Sequence, residues 1–246
     1  MRQPYCRYMK KILFISEKTP ADMTGKLNGI FDIRLLPPSS RLPAPVSCHP
    51  DMLIASVGSE LVVCRYYYEE NESVFNGVKV SLTDESHGAE YPADVLLNCF
   101  ELCGKVYGRE ASAAKYIKQK AANFVNVKQG YAHCSTLIFG DHAVTADEGI
   151  FKALTDNGAD ALKIRPGHIE LPGYGCGFIG GASFCFGNTV YFFGSLSTHP
   201  DGEMIREFIT SRGYGIEELV KRPLIDFGGA APEASEVCAG GASEAK

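Results

Sequence analysis

The chain has 246 residues, 45% of them apolar and 22% charged, with a net charge of −5 and a sequence pI of about 5.7. That length and balance can bury a sizeable core in one large domain or two small ones. The acidic balance argues against nucleic acid, whose phosphates need a basic face, and suits a small cationic partner.

The longest apolar run near the start, Ile12 to Ile15, is too short for a signal segment or a membrane span, so no membrane partner is expected. Met9 opens the structured part, with residues 1–8 an extension before it. KILFIS (11–16) reads as a strand, 24–29 as a short helical turn and FDIRLL (31–36) as a second strand. From there a pattern recurs. Short apolar runs begin at Asp51, Asp94, Ser135, Ala182 and Leu224, about 43, 41, 47 and 42 residues apart. After the first four comes a turn: Gly58-Ser59, Gly104, Gly140-Asp141 and Gly187-Asn188. These residue types tolerate the positive φ of a hairpin. A second strand follows each turn: LVVCR (61–65), KVYGR (105–109), HAVTAD (142–147) and VYFFG (190–194). Apolar residues at helical spacing then mark helices over 111–122, 148–156 and 202–211, with Asn123, Gly158 and Gly213 placed to end them. Third strands are expected at 124–130, 161–167 and 216–222. The stretch 66–86 carries no helical pattern.

The run at Leu224 has only its first strand before an Ala-, Gly-, Ser-, Glu- and Pro-containing tail, 230–246, which reads as disordered. Its missing strands are those at 11–16 and 31–36, so the two ends of the chain together make one unit. The expected fold is α/β: a five-fold pseudosymmetric β/α propeller over residues 9–229, the fifth unit completed by both termini. The nine cysteines are odd in number and irregular in spacing, which does not suit a disulfide framework. A reducing, cytoplasmic setting is expected, with most cysteines acting as small buried apolar groups.

Five strand–strand–helix–strand units resemble the guanidine-modifying-enzyme fold, also called the pentein or β/α-propeller fold. Its members include arginine and agmatine deiminases, dimethylarginine hydrolase, amidinotransferases and non-catalytic ribosome anti-association factors. The segments GYAHCSTLIFGDHAVTADEGIF (130–151) and GFIGGASF (177–184) also look like an uncharacterised bacterial family assigned to that fold. The resemblance implies that residues at the starts of the first strands converge on one pocket. Cys48-His49-Pro50-Asp51 is similar to the His-x-Asp of these enzymes, with His49 as general acid/base and Asp51 on the guanidinium. His133-Cys134-Ser135-Thr136 resembles the segment carrying the deiminase nucleophile, which makes Cys134 the candidate nucleophile, with His49 as the cation that would activate it. Asp94 and Asp226 are candidate partners for the substrate cation, with His133 beside them. Arg41, and with less weight Arg165, could grip a substrate carboxylate. Only Asp226 survives of the family's acidic Gly-Gly segments, in Asp226-Phe-Gly228-Gly229; the other copy reads Phe178-Ile-Gly180-Gly181.

Three readings stand at this point. The first is a Cys-dependent hydrolase or transferase acting on a guanidine or amidine C–N bond, without a cofactor. The second is a non-catalytic ring that binds a small molecule or a protein. The third is a metal-binding hydrolase using Cys48, His49, His133 and Cys134. Adjacent strand residues point to opposite faces, which counts against that four-ligand set, and no metal site is assigned. Cys176, in a Gly-rich turn, is a rival nucleophile. Cys99-x-x-x-Cys103 lacks tight metal-ligand spacing, and GFIGGA lacks the helix a dinucleotide fingerprint needs.

Overall fold

The computed structural model describes residues 10–233. In chain order the elements are β1 (Lys11–Ser16), α1 (Ala21–Leu27), β2 (Phe31–Leu36), α2 (Pro50–Leu53), β3 (Ile54–Val57), β4 (Glu60–Cys64), α3 (Arg65–Glu70), β5 (Val80–Thr83), β6 (Phe100–Leu102), β7 (Lys105–Gly108), α4 (Lys115–Lys120), β8 (Phe124–Asn126), β9 (Thr136–Phe139), β10 (His142–Thr145), α5 (Glu148–Asp156), β11 (Asp160–Lys163), β12 (Ser183–Phe186), β13 (Thr189–Phe192), α6 (Gly202–Thr210), β14 (Gly215–Glu218) and β15 (Ala230–Pro232).

The strands form five three-stranded sheets of one design. In each, a first strand pairs antiparallel with a second, and a helix then carries the chain to a third strand parallel to the second. The four continuous hairpins turn on Gly58, Gly104, Gly140 and Gly187, all at positive φ, a conformation glycine adopts without a Cβ penalty. The fifth sheet has no such turn, because β15 pairs antiparallel with β1, and β1 in turn pairs parallel with β2. The first strands of all five sheets, β3, β6, β9, β12 and β15, line one central cavity of about 670 Å³.

Three expectations are corrected. The last unit's first strand is 230–232, not the run at 224, and Glu233 N–H donates to the Ile12 carbonyl. The folded unit therefore extends past 229; the rest of the tail, from 234, lies outside the described residues. The stretch 66–86 holds α3, a 3₁₀ turn at Glu72–Phe75 and β5. Its helix is too short to show a helical period, and Tyr67 and Phe75 anchor it by full burial against Phe14. The first strands at 51 and 94 start later than expected: 50–53 is a helical turn and 93–95 a 3₁₀ turn.

That delay builds the site. Each first strand is preceded by an irregular segment, and these segments bond to one another. Asn98 Nδ2 donates to the Asp51 carbonyl (3.0 Å) and His133 N–H to Asn98 Oδ1 (2.7 Å). Gly181 N–H donates to the Cys134 carbonyl (3.0 Å), Gly229 N–H to the Gly181 carbonyl (2.7 Å), and Asp51 N–H to the Gly228 carbonyl (3.1 Å). Each bond joins the segment before one sheet to that before the next, and the last returns to the first. These buried amides and carbonyls lie outside any strand ladder, so the circuit supplies partners they would otherwise lack.

Candidate active site

The circuit gathers His49, Asp51, Asn98, His133, Cys134 and Asp226, and of these Asp51 and His133 line the central cavity. Cys134 is 3% exposed, Asp51 3%, His49 2% and Asp226 2%, so each titratable group there is cut off from bulk water.

Burial raises the Asp51 carboxyl to about 8, and the charge of Asp226 pushes in the same direction, partly offset by the contact with Cys134. Neither Asp51 oxygen is met by an N–H or O–H donor. Asp226 is raised by burial to about 6, less than Asp51, because Phe178 N–H and Gly228 N–H each donate to it at 2.9 Å. Burial pushes the Cys134 thiol well above its usual range, and the charges of Asp51 and Asp226 add to that. Asn98 Nδ2 donates to Cys134 Sγ at 3.0 Å.

His49 is held down to about 3 by burial and by the charge of Lys18. Its Nδ1 lies 3.6 Å from Asp226 Oδ1, too long for a hydrogen bond. The imidazole is therefore neutral near pH 7, and the pair is an ionised carboxylate beside a neutral ring. The groups on the thiol are Asp51 and Asn98, and the neutral His49 ring faces Asp226. His133 is likewise held neutral, at about 4, by burial.

The remaining candidates have partners of their own. Asp94 is buried, one oxygen accepting from Tyr131 O–H (2.5 Å) and the other without a donor. Tyr131 stacks between Tyr91 and Phe178. Arg41 lies over the Tyr66 ring at 4.1 Å, and Arg165 holds Asp201 through Nε (2.8 Å). Cys48 Sγ meets Ser16 Oγ at 3.0 Å, away from Cys134, so the four-ligand metal set does not assemble. Among the described residues no group of three metal-ligating side chains is present, and the seven described cysteines are free thiols.

Sequence reasoning missed Asn98. It sits two residues before β6, as Cys134 does before β9 and Gly181 and Gly228 before β12 and β15. Strand alignment alone would have flagged it as an axial position. Asn98→Ala removes the bonds to Asp51, His133 and Cys134 and should cost about 2 kcal/mol in urea unfolding.

The site also sets a pH dependence. Asp51 and Asp226 have folded pKa values above the usual 3.8, so the native state holds more protons than the unfolded chain, and stability is lost as pH rises through 6 to 8. The neutral histidines act the other way, but only below 6.5. The melting temperature should therefore fall between pH 6.5 and 8.5, and Asp51→Asn should flatten that fall. A native profile that is flat or rising would contradict the buried carboxyl pair.

A family model described as Family of unknown function (DUF6873) matches residues 14–231. The chain belongs to this family. No curated protein matches the sequence. Among solved structures the DUF6873 chain is similar to DDAH from Pseudomonas aeruginosa, a cysteine-to-serine variant complexed with citrulline, at 14% identity and a TM-score of 0.51, covering 86% of this chain and 92% of that one. It is also similar to a histidine-to-glycine variant of dimethylarginine dimethylaminohydrolase bound to S-methyl-L-thiocitrulline, and to the same enzyme as an adduct with 4-chloro-2-hydroxymethylpyridine. Both match at 15% identity and a TM-score of 0.52, covering 85% of this chain and 92% of theirs. The chain thus has an α/β fold similar to that of DDAH, and its five small sheets fit a five-unit pseudosymmetric arrangement. No helix of the described residues is long and apolar enough to cross a membrane.

Proposed function

We propose that this protein is a pentein-type ring of five units and a cysteine-dependent hydrolase or transferase acting on a guanidine or amidine C–N bond. The observation that carries the reading is the meeting of the Cys134 thiol with two buried carboxyl groups, one of which, Asp51, lines the central cavity. A planar cation placed there lowers the pKa values of Asp51 and Asp226 by giving each carboxylate the opposite charge it lacks.

Cys134 Sγ adds to the guanidinium carbon as its proton moves to the Asp51 carboxylate that contacts it, which the bound cation has ionised, and His49 relays that proton to the departing amine as the C–N bond breaks. Asp226, facing His49, stabilises the imidazolium that exists during the transfer. Water then adds to the same carbon, gives His49 a proton, and the thiol leaves with it. In a transferase an amine takes the place of water.

Exposure to a chloroacetamidine-type probe, read by mass spectrometry of the intact protein, tests this. Selective labelling of Cys134, blocked by a guanidine, is the expected result. Labelling scattered over several cysteines, or none, would favour the second reading, a binding ring without turnover. That reading draws support from the thiol's closure beneath Asn98 and Asp51.

A further inference from the structure

The central cavity is far larger than a guanidinium needs, and lies in the size range of pockets for whole small molecules. It runs from Asp51 and His133 to the hairpin turns at Gly58, Gly104 and Gly140, roughly 13 Å for a four-residue wall strand at about 3.3 Å per residue. Ile54, Phe100, Leu102, Ile138 and Phe184 make its wall largely apolar. Its acidic groups are Asp51 at the inner end, which is protonated until a cation binds, and Glu101 and Asp141 near the turns. None of the described residues lining it is Lys or Arg.

Cations near the site and the cavity have partners of their own: Lys105, whose charge is felt at the lining Cys103, gives its Nζ to the Asn157 carbonyl (3.0 Å). Arg41 lies on Tyr66, Arg109 over Tyr91 at 5.7 Å, and Arg165 is held by Asp201. Lys18, whose charge is felt at His49, gives its Nζ to the carbonyls of Ala44 and Pro45. Cys134 belongs to the same buried core cluster as Val46, Leu42 and Leu171, and the segment carrying Leu171 is tied down by Glu170 N–H to the Leu224 carbonyl and Asp226 N–H to the Glu170 carbonyl, both 2.8 Å.

We propose that the cavity holds the tail of the substrate, and that the substrate is a substituted guanidine or amidine with an apolar tail and no carboxylate. The proposal rests on the guanidine reading above and adds the substrate class. A carboxylate placed in this cavity would be desolvated beside acidic side chains, with no Lys or Arg in the lining to pair it. An alkyl tail would exchange water for apolar wall.

The test uses the native protein and two competitors of equal chain length, n-butylguanidine and 4-guanidinobutanoate, each titrated against chloroacetamidine labelling of Cys134. The expected result is protection by n-butylguanidine at a concentration at least ten-fold lower. Equal or better protection by 4-guanidinobutanoate would overturn the tail assignment and leave the guanidine reading standing. An unlabelled Cys134 would remove both. Ser56→Arg, which puts a cation into the wall, should narrow the ratio between the competitors; an unchanged ratio in a folded variant would count against the cavity as the tail site.

Discussion

Cys134→Ser should fold as the native chain does, lose all probe labelling at that position, and lose turnover of a guanidine substrate by about a thousand-fold or more. The fold should survive because a serine hydroxyl can take over both contacts of the thiol, accepting from Asn98 Nδ2 and lying beside Asp51. Stability should stay within about 1 kcal/mol, as for near-isosteric buried exchanges. The loss of rate follows because an alcohol at a site without a strong base is a poor nucleophile. His49 is held at about 3 and Asp51 is protonated near neutral pH. A serine variant with native rate would remove Cys134 from the chemistry, and the exposed Cys176 would then be examined by the same labelling.

The second large effect is structural. Gly228→Ala should destabilise the protein by at least about 3 kcal/mol, while Gly58→Ala should cost only about 1 kcal/mol. Both glycines have positive φ, 78° and 58°. A Cβ on Gly58 would meet nothing within 4 Å, so only the backbone preference is lost. A Cβ on Gly228 would overlap His49 at its Cα and Cβ, and the carbonyl of the same residue closes the hydrogen-bond circuit through Asp51 N–H. Urea unfolding of the two variants measures the difference. Equal costs would mean that the axial segments are looser than this packing requires. Gly181 belongs to the same class, since a Cβ there would overlap the Asp226 carboxylate.

These close approaches explain which parts of the molecule are legible in the sequence. The strands at 11–16 and 31–36, the helix at 148–156 and the four glycine hairpins follow from local periodicity and turn chemistry, and the structure has them at those positions. The sharing of one sheet between the two ends was also legible, because the last unit lacked strands that only the N-terminal segment could supply. The axial segments were not. Pro50–Leu53 is apolar enough to read as a strand, yet it turns as a helix because Pro50 fits a first helical position and Asp51 N–H must reach Gly228. The convergence of His49, Asp51, Cys134 and Asp226 was legible through the resemblance alone, since no local rule brings residues so distant in sequence together. Their electrostatics ran against expectation: full burial leaves His49 neutral and Asp51 protonated, an outcome that desolvation decides and residue type does not. Asn98 was invisible because nothing chemical distinguishes it from a turn asparagine until its side chain is seen bridging two neighbouring units.

The pairing of β15 with β1 bears on how the protein is made. Leu13, Phe14 and Ile15 pair with Pro232, Ala231 and Ala230, so during synthesis the first of the described strands waits for the last of them. Four sheets can form as their own segments emerge, because each hairpin is local. The fifth, and with it the hydrogen bond from Asp51 N–H to Gly228 that closes the circuit, can form only when translation of the domain is finished. Until then Asp226 and Gly228 are absent from the pocket. A partly made chain therefore carries Cys134 without its acidic partner at 226, and acquires the assembled site in a single late step.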